Sequence, residues 1–177
     1  MTDSEMTDAE FRYLDKGAAC LTTAYHEAGH AVAAFFLRTG FRRVTIMSDG
    51  EAAGHSLDGA GGRFRGQPDC EMTPAIRDYL ERHIRVLLAG EIAQRRHSPR
   101  SVRRHHGESD RQRAVDLAFY INGDTRAVEL YMRWLSCCTE GFITTRWAAV
   151  EAVAQALAEH KTLSRGQVRA LIVEPRA

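Results

Sequence analysis

Within this chain, His26-Glu27-Ala28-Gly29-His30 brings together two imidazoles and a carboxylate at a spacing suited to metal chemistry. Positions four apart on a helix lie one turn above each other on one face. His26 and His30 would therefore present two nitrogen ligands from a single rigid element to one tetrahedral zinc ion. Glu27 lies beside His26, placed to reach a zinc-bound water rather than the metal. The chemistry predicted is hydrolysis: an acidified water gives its proton to Glu27, attacks a scissile carbonyl, and Glu27 returns the proton to the leaving amine.

The surroundings favour this reading over a solvent-facing helix. Ala24, Tyr25, Ala31, Val32, Phe35 and Phe36 flank the pattern, so its polar groups need partners inside an apolar helix. Gly29 costs about 1 kcal/mol of helix stability against alanine, which predicts close approach of another element at that turn. A catalytic zinc site has three protein ligands. A third histidine six residues on is absent, because Phe36 stands there. The third ligand must come from elsewhere, and Asp110, Glu91, Glu108, His105 and His106 are the candidates.

The elements that would position these groups follow from periodicity and capping. The first helix is expected from about Ala18 to Arg38, with Gly40 as a left-handed cap. Residues 41–47 (FRRVTIM) read as a strand, and residues 53–57 as a second strand returning in a hairpin. Residues 59–69 are a glycine-rich loop. Thr73-Pro74 opens a long helix with Ile76, Leu80, Ile84, Leu87, Leu88 and Ile92 on one face. A third helix starts near Ser109 or Asp110, and Asn122-Gly123-Asp124 separates it from a fourth. A fifth begins near Thr144 and a last short one near Ser164. Trp134 and Trp147 are expected in the core. The fold class is mainly α within α+β, a helical zincin-like peptidase domain with a small sheet or hairpin in its N-terminal third. Residues 1–17 read as a flexible segment and 18–177 as one domain.

Composition narrows the setting. A net charge of +1 over 177 residues implies no global pull toward nucleic acid or membrane. The basic stretch 95–106 reads as a solvated loop, without aromatic platforms for stacking bases. Four cysteines without C-x-x-C spacing fit a reducing compartment. No apolar stretch is long enough to span a bilayer and no secretory leader pattern is present, so a cytoplasmic protein is expected.

Residues 24–32 (AYHEAGHAV) closely resemble the zinc helix of the FtsH family of membrane-anchored AAA+ metalloproteases. Residues 87–93 (LLAGEIA) look like that family's leucine-rich helix, and residues 107–114 (GESDRQRA) resemble the segment whose aspartate is the third zinc ligand. The resemblance thus implies Asp110 as third ligand beside His26 and His30. It also implies residues 41–57 as the edge strand of a substrate groove and the tail 147–172 as closing helices. No G-x-x-x-x-G-K-[ST] phosphate loop is present, so the resemblance is to the peptidase part alone, working without ATP on peptides or unfolded protein. No oligomeric state is carried over, since the family's assembly draws on its ATPase. The alternative is a catalytically silent, zinc-containing peptide-binding adaptor.

Overall fold

The computed structural model describes residues 8–47, 71–100 and 108–173. Six helices and two short strands follow in the order α1 (Asp8–Phe36), β1 (Arg43–Thr45), α2 (Pro74–His97), α3 (Glu108–Asn122), α4 (Thr125–Thr145), α5 (Trp147–His160), β2 (Thr162–Ser164) and α6 (Arg165–Val173). The expected mainly helical class is observed, and among the described residues the small sheet is one antiparallel pair.

The helix ends show how local chemistry sets the boundaries. Helix α1 begins at Asp8, earlier than the Ala18 expected from apolar periodicity; Ala9, Glu10 and Leu14 in this stretch are good helix formers. Its C-terminus closes with Thr39 N–H donating to the Ala34 carbonyl and Arg38 N–H to that of Phe35. This is a Schellman motif with Arg38, at φ 58°, as its left-handed residue; Gly40, at φ 80°, turns the chain afterwards. Thr73 caps α2 by accepting from Ile76 N–H, and Asp124 caps α4 by accepting from Ala127 N–H. Gly123, at φ 66°, makes the turn between α3 and α4.

Strand β1 pairs antiparallel with β2, with Val44 opposite Leu163. Both of those side chains are buried, so the sheet fastens the turn after α1 to the α5–α6 corner. The expected strand 53–57 and loop 59–69 lie outside the described residues.

Two apolar clusters share α2. On one face, Val86, Ala89 and Ala93 join Val32, Phe41, Val44, Ile143, Val150 and Leu157, which come from α1, α4, α5 and the segment around β1. On the other, Ile84 and Leu88 join Ala114, Ala118, Val128, Met132 and Leu135 of α3 and α4. Helix α2 is therefore the wall between two cores, and it fixes α1 relative to α3. Trp134 departs from expectation, being 54% exposed and stacked on Tyr131. It lies two residues beyond Met132, about 200° round the helix, which turns it away from the face that buries Val128, Met132 and Leu135.

Helices α1 and α2 run antiparallel and touch at Gly29. A Cβ there would press into the Ala89 carbonyl and lie 2.7 Å from the Ala93 Cβ. The close approach predicted from a costly mid-helix glycine is thus met by α2 backbone. Gly29→Ala should destabilise the protein by about 1–2 kcal/mol, because overpacking against main chain outweighs the gain in helix propensity. Urea unfolding of the metal-free protein measures this, and a stabilised variant would contradict the contact.

Candidate metal centre

Helix α1 carries His26, Glu27 and His30 at the buried interface with α2, with exposures of 9%, 6% and 4%. Asp110 enters from the first turn of α3. Its Oδ2 lies 3.3 Å from His26 Nε2 and 3.1 Å from His30 Nε2, and the two Nε2 atoms are 3.0 Å apart. Residues 84 positions apart in sequence thus meet because α2 packs α1 on one face and α3 on the other.

The outer nitrogens of the imidazoles are both occupied. His26 Nδ1 lies 3.0 Å from Gln94 Oε1, and His30 Nδ1 lies 2.8 Å from the Val86 carbonyl oxygen. Both partners accept, so each Nδ1 carries a hydrogen and donates it. Each Nε2 then presents a lone pair, and the two face a carboxylate oxygen across 3.1–3.3 Å and each other across 3.0 Å. Three lone pairs at that separation repel unless a cation or a proton lies among them.

The triangle fits a metal. Four ligands at about 2.0–2.1 Å around tetrahedral zinc stand about 3.3 Å from one another. The observed edges of 3.0, 3.1 and 3.3 Å outline one face of that tetrahedron and leave its fourth vertex for water or substrate. Two imidazoles and a carboxylate are also a donor set that zinc takes.

Without metal, a proton does the same work less well. Burial opposes charge on His30, but the hydrogen bond and charge of Asp110, with the Glu27 charge and the Val86 carbonyl, push its pKa up to about 9. Burial likewise opposes the Asp110 carboxylate, yet the hydrogen bonds and charges of His26 and His30 hold its carboxyl well below the usual range. The sign of the pH effect follows. A histidine with a raised folded pKa stabilises fully below its ordinary value of 6.5, and that stabilisation is lost as pH rises through about 9. Metal-free protein should melt at lower temperature at pH 9.5 than at pH 6, and zinc, replacing the proton, should remove the difference. A metal-free melt that rises across this range would contradict the arrangement.

Glu27 completes the local chemistry. Its side chain is buried, and its Oε2 has no hydrogen-bond partner among the described residues. An unsatisfied buried carboxylate oxygen is costly in a packed interior.

Of the other candidates for third ligand, Glu91 is paired with Arg95 one turn along α2, and Glu108 lies exposed in the first turn of α3. Neither belongs to a metal-ligating group among the described residues, where His26, His30 and Asp110 converge. His105 and His106 lie outside the described residues.

Sequence reading missed the role of α2. Val86, Gly90 and Gln94 recur every four residues and meet His30, His30 again and His26. A Cβ at Gly90 would overlap the His30 ring, lying 2.6 Å from Cε1 and 2.8 Å from Cδ2. Gln94 is 3% exposed, and a polar residue on the otherwise small and apolar stripe of Val86, Ala89, Gly90 and Ala93 was the available signal. Tyr25 adds a further clamp, stacking on His97 at 3.7 Å and on Trp147 at 5.6 Å. Arg96, within the basic stretch, caps that stack at 4.6 Å from the Trp147 ring.

Over 73 residues the chain is 42% identical to the ATP-dependent zinc metalloprotease FtsH 1 of Symbiobacterium thermophilum. The relationship to FtsH is partial. The matched stretch is 40% of this chain and 11% of the relative, so the chain spans about a tenth of that protein. No family model matches the chain. Among the described residues, no helix is long and apolar enough to cross a membrane.

Proposed function

We propose that this chain is a zinc-dependent endopeptidase acting on peptides or unfolded protein segments. One observation carries the reading. Three lone-pair atoms from His26, His30 and Asp110 converge at tetrahedral spacing, and the buried Glu27 of the same helix has no hydrogen-bond partner for its Oε2 among the described residues. The partial likeness to a zinc metalloprotease supports it.

His26 and His30 would hold the metal through Nε2 and Asp110 through Oδ2. Zinc held there supplies Lewis acidity and an acidified water. Glu27 takes the proton of the attacking water and returns it to the amine of the departing chain. Burial of the surrounding helix faces keeps bulk water from competing for that proton. The 177 residues contain no G-x-x-x-x-G-K-[ST] loop. Peptides and unfolded segments are the corresponding substrates, cleaved without ATP.

The test is incubation of zinc-loaded protein with a library of unstructured peptides, followed by mass spectrometry. New termini should appear and disappear on chelation. Peptides bound but left intact by the zinc-loaded protein would instead make this a binding adaptor.

A further inference from the structure

Metal binding through Nε2 requires that His26 carry its hydrogen on Nδ1, and something must hold that tautomer. The acceptor is the Gln94 side chain, 3.0 Å away and 3% exposed. Its backbone is fixed by a close contact between α1 and α2, where Gly29 abuts Ala89 and Ala93. The corresponding acceptor for His30 is the main-chain carbonyl of Val86. Both imidazoles are therefore backed by neutral oxygens. The acid nearest in sequence to Gln94, Glu91, is engaged with Arg95.

We infer that Gln94 is a positioning residue that fixes the ring and tautomer of His26, and that its neutral amide sets zinc affinity below what a carboxylate there would give. This rests on the zinc reading proposed above. A carboxylate accepting from Nδ1 makes an imidazole a stronger donor, whereas an amide orients it with less polarisation. The chain thus combines strict orientation with a moderate hold on the metal, and affinity at this site is tunable through one side chain.

The experiment compares full-length wild type, Gln94→Leu and Gln94→Glu by chelator competition for zinc, and by the visible spectrum of bound cobalt. Gln94→Leu should weaken zinc binding by about 10–100-fold and alter the cobalt spectrum, as loss of an outer partner does. Gln94→Glu should tighten binding by about tenfold or more. Leucine binding zinc like wild type, with the same spectrum, would overturn the positioning role. Glutamate binding no tighter than wild type would overturn the affinity-setting role; this variant keeps an acceptor of similar size and decides the question if the leucine protein does not fold. Wild type that binds no zinc would overturn the metal reading itself, and this inference with it.

Discussion

Replacing Glu27 with glutamine should lower peptide cleavage by about 10²–10⁴-fold, the range for loss of a positioned general base, while leaving zinc in place. The two outcomes separate because Glu27 is outside the ligand triangle formed by His26, His30 and Asp110. Glutamine keeps the size of the side chain and removes its capacity to take a proton. It also removes a buried negative charge that favours protonated His30, so the metal-free variant should release that proton more readily than wild type. Peptide turnover measured beside zinc content distinguishes these effects. Unchanged turnover in the zinc-loaded variant would remove Glu27 from the mechanism.

Asp110→Ala should weaken zinc binding by more than about 100-fold, since loss even of an outer-shell partner costs 10–100-fold and Asp110 stands at a vertex. A second consequence appears without metal. Burial alone lowers the pKa of His30, and the hydrogen bond and charge of Asp110 lead the effects that oppose it. The variant should therefore lose the stability difference between pH 6 and pH 9.5 expected of wild type. An aspartate that served only the α3 dipole would cost about 0.3–1 kcal/mol and leave zinc affinity unchanged. Zinc competition and pH-dependent melts, run together, decide between those roles.

Much of this site was legible as residue types at helical spacing. The four-residue interval of His26 and His30 needs only a helix to become a pair of ligands, and the apolar flanks of α1 ensured that the helix would be buried. Gly29 announced a close contact because a mid-helix glycine has a cost that packing must offset. Asp110 stood among five candidates and only the resemblance singled it out, since its approach depends on α2 holding α1 and α3 on opposite faces. Gln94 and the Val86 carbonyl were missed for a related reason. A hydrogen bond from an imidazole edge to a neighbouring helix depends on the antiparallel register of α1 and α2, which periodicity in either helix alone does not specify. The pairing of β1 with β2 was likewise hidden, because strands of three residues carry little alternation and their contact spans most of the chain. Trp134 shows the converse error: a large aromatic residue was assigned to the core by type, although its angular position on α4 faces solvent.

Zinc titration of metal-free wild-type protein, read by calorimetry or elemental analysis after gel filtration, tests the metal centre most directly. The expected result is about one zinc ion per chain, held by wild type and lost from Asp110→Ala. Wild type that takes up no zinc, or an Asp110→Ala protein that holds it equally well, would contradict a centre built from His26, His30 and Asp110.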